Sequence, residues 1–231
     1  MVKKEILLAK ILGGIIMKVK RLRKVVALAL SAMLCIGAVG CGKDVSSSAD
    51  AAKTEIVYAS TKDIMDINPH LYTGEMAAQN MVFESLVTIN NDGEIEPCLA
   101  TSWEISEDGL EYTFKLREDV TFTDEEKFNA DAVKQNFDAV LSNFDRHAWL
   151  ELVNQIDKTE VVDEYTFKMT LKKAYYPSLT ELALTRPFRM ISPKCFIDGE
   201  TKNGVSGYAG TGPYVLSEHK ENEYAIFDTN E

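Results

Sequence analysis

The run Leu99-Ala100-Thr101-Ser102-Trp103-Glu104-Ile105, Ser106-Glu107-Asp108-Gly109, then Tyr112-Thr113-Phe114-Lys115-Leu116 reads as a β-hairpin. The Asp-Gly pair supplies the turn, and the period-2 alternation after it marks a half-buried strand. Trp103 and Phe114 therefore read as core. Downstream, Thr159–Val162 and Tyr165–Leu171 repeat the strand pattern around Asp163-Glu164. Between the two hairpins, Asn129 is placed to cap a helix over Ala130–Leu141, whose apolar stripe is Val133, Phe137, Val140 and Leu141. Upstream, Glu55–Ser60 alternates as a strand, Asn68–Thr73 is a proline turn, Met76–Val87 has helical spacing, and Asn91-Asp92-Gly93 is a turn. Towards the C-terminus, Tyr175-Tyr176-Pro177 opens a helix carrying Leu179, Leu182 and Ala183. Gly204–Gly212 is a glycine-rich loop, and Tyr214–Glu218 with Tyr224–Asp228 make a closing strand pair. Strands and helices intermix without repeats, which is the α/β class with mixed (α+β) sheets.

Charge excludes one partner class. The 231 residues hold 25 Lys/Arg and 36 Asp/Glu, but residues 1–40 carry eight of the bases and one acid, leaving a net of −18 on the remainder. Nucleic acid binding rests on phosphate neutralisation and does not suit such a body. Residues 1–16 read as a start assigned too early, because Met17 opens a complete leader over 17–40. Lys18–Lys24 is its basic region, and Val25–Ile36 is an apolar run too short to span comfortably. Ala38-Val39-Gly40-Cys41 resembles a bacterial lipobox, with Ala38 in place of the commoner Leu, so Cys41 is the expected lipidation site. Residues 41–54 are a small, polar tether. Cys98 and Cys195 read as two separate reduced, buried residues, and a bond between them stays open on sequence.

Two clusters suggest a binding site. Asp145-Arg146-His147-Ala148-Trp149-Leu150-Glu151-Leu152 places a guanidinium, an imidazole and an indole within four residues. Arg186-Pro187-Phe188-Arg189 adds two guanidiniums to an aliphatic run. In an acidic protein these read as walls for something anionic and flat. If Phe144–Leu152 is helical, Arg146 and Trp149 share a face and His147 points elsewhere. The plain alternatives are Arg146 paired with Asp145 or Glu151, and Trp149 in the core. Arg189 reads as a structural salt bridge. His70, His147 and His219 are widely spaced and form no local metal cluster. No nucleophile motif, Ser-His-Asp arrangement or phosphate-binding glycine signature is present, so the chain does not read as an enzyme.

Glu96–Trp103, Ser106–Val120 and Gly210-Thr211-Gly212-Pro213-Tyr214 together resemble the peptide/nickel class of extracytoplasmic solute-binding proteins of ABC transporters. Asn68–Tyr72, Arg146–Leu152 and Tyr175–Arg189 resemble the nickel-receptor branch of that class. The turn Thr123–Lys127 lacks the glycine usual there. The resemblance implies the N-terminal lobe of a two-lobed periplasmic-binding-protein-like fold, truncated before the second lobe. Its implied parts are 55–95 as the start of lobe I, 96–208 as an inserted α+β subdomain, and 209–231 as an incomplete return.

It implies a monomeric, membrane-anchored receptor that captures nickel(II) with a small organic chelator such as histidine and passes it to ABC permease subunits. No cofactor is implied. The implied ligand contacts are Tyr72, Met76, Arg146, Trp149 and Arg186. The metal's direct protein ligand, a histidine, belongs to the later lobe, so no metal ligand is expected within this chain. A peptide or haem receptor of the same class, or a non-functional fragment, are the competing expectations.

Overall fold

The computed structural model describes residues 55–230; the leader, Cys41 and the tether lie outside them. Strands β3 (Ala100–Ile105), β4 (Glu111–Leu116), β5 (Ile156–Asp163) and β6 (Thr166–Leu171) form one antiparallel sheet in the order β3-β4-β6-β5. The mixed α/β class with antiparallel sheets is the fold observed. The first hairpin turns at Ser106–Gly109, where Gly109 has φ +71° and the Asp108 carboxylate accepts from Leu110 N. Trp103 pairs with Phe114, and Phe114 with Phe167, so one row of aromatics crosses three strands. Phe114 is fully buried and Trp103 packs at the edge of the same cluster.

Helix α2 spans Ala130–Ser142, capped by the Asn129 side chain accepting from Ala132 N at 2.9 Å. Its buried face lays Phe137 4.8 Å from the Phe167 ring and 5.1 Å from Phe188. That stack couples the sheet, through the helix, to the segment that carries Arg186. Asn136 on the same face makes the coupling specific. Its amide donates to Ile191 O at 2.9 Å and accepts from Ile191 N at 2.9 Å, so two backbone groups of that segment are satisfied inside the protein.

A second apolar cluster is separate from the first. It joins Ile67, Ala78, Val82 and Phe83 to Ile191, Cys195 and Ala209. Helix α1 (Met76–Val82) is capped by the Glu75 carboxylate, which accepts from Ala77 N and Ala78 N. The helix is shorter than the apolar spacing predicts. Its last carbonyls are taken by other segments: Gly212 N donates to Val82 O at 2.9 Å, the Arg189 guanidinium to Phe83 O, and Met190 N to Glu84 O. A Cβ on Gly210 would sit 2.0 Å from Val82 O, and one on Gly212 2.6 Å from Met81 O. Only glycine lets that loop reach the helix end. The chain then turns into β1 (Val87–Ile89), paired with β2 (Ile95–Pro97).

Two further expectations are corrected. Glu55–Ala59 has no regular structure, because alternation gives a strand only where a neighbour takes its hydrogen bonds. Phe144–Leu152 is not one helix. It is α3 (Phe144–His147), an extended Leu150 at ψ 125°, and α4 (Glu151–Gln155), whose Leu152 N donates to the Glu181 carboxylate. The break buries Leu150, Leu152 and Val153 together, which a continuous helix would spread around its axis. Helix α5 (Ser178–Leu182) follows as expected.

A hairpin of β7 (Phe196–Ile197) and β8 (Glu200–Val205) occupies part of the predicted glycine-rich loop. Strands β9 (Tyr214–Lys220) and β10 (Tyr224–Thr229) form the expected closing pair. Cys98 and Cys195 are free, with Cys195 buried and Cys98 half-buried. Among the described residues no helix is long and apolar enough to cross a membrane.

Candidate ligand-binding site

Tyr72 sits at the end of a loop held by buried polar side chains. The Asn68 amide donates to Thr201 O at 2.9 Å, while its oxygen accepts from His70 N. Gln79 on α1 donates to Asn68 O at 2.9 Å. The His70 ring lies between Thr201 Oγ1 at 2.9 Å and Arg189 O at 3.2 Å. A carbonyl only accepts, so His70 Nε2 carries the proton and Nδ1 accepts from Thr201. Burial pushes His70 down to about 4, which keeps it neutral. A Cβ on Gly74 would lie 2.3 Å from Asp66 O, so the loop also depends on that glycine.

Around Tyr72 three side chains from two other segments converge. Trp149 Nε1 donates to the Tyr72 hydroxyl at 2.8 Å, with ring centroids 5.8 Å apart. The Arg146 and Arg186 guanidinium carbons lie 5.1 and 5.4 Å from the Tyr72 ring centroid, within cation–π range. Arg186 also donates to Gly74 O at 3.1 Å. Among the described residues neither arginine has a carboxylate within 4 Å, so pairing of Arg146 with Asp145 or Glu151 does not occur. Trp149 is 64% exposed and not core. Burial raises the Tyr72 phenol, while the Trp149 bond and the two arginine charges oppose it, so Tyr72 is protonated near neutral pH.

The remaining residues fall differently. Met76 is the first residue of α1 and half exposed, and it shares no hydrogen bond or ring contact with the four. Among the described residues Arg189 makes no salt bridge; it caps α1 through Phe83 O, and burial lowers its pKa. His219, on the closing hairpin, bonds Asp63 at 2.9 Å. His147 is fully buried with Nδ1 2.9 Å from the Tyr72 hydroxyl, so it joins the cluster that helical phase excluded it from. Burial, then the Arg146 charge, holds it near 4, again neutral.

Sequence reading missed Asn68, Gln79 and Asn136 as the groups that set the site. The available signal was Asn136, which falls within the apolar stripe between Val133 and Phe137. An open depression lined by Glu84, Arg117, Asp119, Thr211 and Asn230 contains none of the Tyr72 cluster. Among the described residues no three His, Cys, Asp or Glu side chains are grouped to hold a metal ion.

The cluster therefore offers two unpaired cations, a neutral phenol and an exposed indole. Guanidinium forks bind carboxylates bidentately, and the rings give flat apolar contact. Comparison with known proteins places the chain in a family. Residues 94–231 match the family model of bacterial extracellular solute-binding proteins, family 5, middle region. The chain belongs to this family.

This family-5 protein is 50% identical over 182 residues to the nickel-binding periplasmic protein of Escherichia coli K12, covering 78% of this chain and 35% of that one. Among solved structures it resembles NikA from Brucella suis in complex with Fe(III)-EDTA at 51% identity and a TM-score of 0.73, over 74% of this chain and 35% of that chain. NikZ from Campylobacter jejuni in complex with Ni(L-His) gives 32% identity and a TM-score of 0.63, over 73% and 34%. The chain thus spans about a third of the length of these relatives, which are two-lobed binding proteins.

Proposed function

We propose that this chain supplies one wall of a receptor that takes nickel(II) as a complex with a small carboxylate-bearing chelator, histidine being one candidate. The observation that carries this reading is the convergence of Arg146 and Arg186, both without a carboxylate partner, on the ring of Tyr72 beside the exposed Trp149. Two like charges sharing one ring are relieved by an anion, and a partly desolvated guanidinium–carboxylate pair is stronger than a neutral hydrogen bond. The indole and phenol would cover the flat face of the chelate, with Met76 at the rim. The metal's own protein ligand is assigned to a histidine from the remaining two-thirds of the longer relatives' length.

In this reading the protein acts as a monomer without turnover and without a cofactor. Cys41 carries the lipid that anchors it outside the cytoplasmic membrane, where it hands the complex to ABC permease subunits. Calorimetric titration with nickel alone and with nickel plus histidine tests the central point. Heat that appears only with the chelator supports it, and equal heat in both titrations, or none in either, sinks it. Mass spectrometry of the membrane fraction, with Cys41→Ala as control, tests the anchor.

A further inference from the structure

The Tyr72 hydroxyl has more bonding partners than its single hydrogen can serve. Trp149 Nε1 lies 2.8 Å away and His147 Nδ1 2.9 Å away. An indole N–H only donates, so the Tyr72 oxygen accepts that bond and keeps one hydrogen and one lone pair. Where the hydrogen goes depends on which nitrogen of His147 carries the ring proton.

The other ring nitrogen decides this. His147 Nε2 is buried and without a hydrogen-bond partner. If the proton sat on Nε2, a buried N–H would be orphaned and the Tyr72 hydrogen would be spent on Nδ1. If it sits on Nδ1, that N–H is satisfied by the Tyr72 oxygen and only a bare lone pair is left inside. Orphaned buried N–H groups are the rarer defect. With Nδ1 protonated, the phenol oxygen accepts from both His147 and Trp149, and its hydrogen has only the open side of the cluster to serve. Two accepted bonds and two nearby guanidiniums polarise that O–H further.

We propose that His147, held as the Nδ1–H tautomer, is the positioning residue that makes Tyr72 an obligatory donor to a carboxylate oxygen of the ligand. This rests on the reading above that the ligand occupies the Tyr72 face. It gives the site a selection rule: an oxygen acceptor at that point is taken, and a ligand presenting an N–H donor there is refused.

The tautomer is measured without ligand. Nitrogen-15 NMR of the imidazole-labelled protein at neutral pH is expected to show a protonated, pyrrole-type Nδ1 and a pyridine-type Nε2 for His147; the reverse assignment overturns the proposal. The consequence is measured with nickel plus histidine. His147→Leu weakens binding by about ten-fold to a hundred-fold, the loss of one charge-assisted bond. His147→Asn, whose amide nitrogen can stand where Nδ1 stood, restores affinity to within a few-fold. In a Tyr72→Phe background His147→Leu costs nothing more. An undiminished penalty in that background overturns the proposal, because His147 would then act through something other than the hydroxyl. Wild-type protein that binds no nickel–histidine while showing Nδ1–H counts against the nickel-chelate reading and leaves the donor assignment standing.

Discussion

His70 and His147 are both buried and neutral, and both hold the loop that presents Tyr72. Their folded pKa values of about 4 lie below the ordinary 6.5, so the unfolded chain binds their protons more readily. The stability they confer is fully present above about pH 6.5 and is lost as pH falls towards 4, on the order of 3 kcal/mol for His70. Hydrogen bonds hold the carboxylates of the half-buried Asp63 and the exposed Asp119 below their ordinary value, and these release their share only at lower pH. Thermal melts between pH 7.5 and 4.5 should therefore fall steadily for the wild type and less steeply for His70→Gln. Arg186→Lys keeps a charge but loses the planar fork, and should cost about ten-fold or more in nickel–histidine affinity by calorimetry. The sequence names Arg146 and Trp149 through the family resemblance and, besides it, through an assumed helix. The helix breaks after His147, and Trp149 arrives instead through its bond to Tyr72. The same assumption excluded His147, since a helical phase says nothing about a partner seventy-five positions away in sequence.

At the level of elements, the central hairpins and α2 were legible because their signals are local: an Asp-Gly turn, an alternating strand, an asparagine cap. The end of α1 was not, since what stops it is Gly212, Arg189 and Met190 arriving from remote positions. The β7–β8 hairpin carried a readable sign in Asp198-Gly199, both with positive φ, the two-residue turn that matches strand twist. Its short strands hid it. Gly212→Ala would press a methyl onto the carbonyls of Met81 and Val82, and should destabilise by roughly 1–3 kcal/mol in urea titrations. Phe137→Ala opens the stack between the sheet and the Arg186 segment. It should cost about 3–5 kcal/mol and weaken ligand binding, although Phe137 is buried away from solvent.

Across the whole molecule, one apolar cluster supports the sheet and α2, and the other joins α1 to the Ile191–Ala209 segment. The Tyr72 loop is tied to the second cluster by Gln79, while Arg186 enters just before Phe188 of the first, so the site records the relative placement of both. No sequence pattern announces that meeting, because each partner is ordinary in its own stretch. The two unpaired arginines belong to a protein whose residues beyond 40 carry a net charge of −18. Beyond the Debye length of about 8 Å at physiological salt the large negative charge is screened; inside it, contact with the guanidiniums dominates. At low salt a negatively charged chelate is thus discouraged on approach, and at any salt it is gripped on arrival. Stopped-flow mixing with such a chelate should show association speeding up as salt rises from low to moderate concentration, the reverse of ordinary electrostatic steering, while release also quickens. Discrimination then resides in dwell time: passing anions are turned away in proportion to how briefly they can stay, and encounter frequency carries little of the choice.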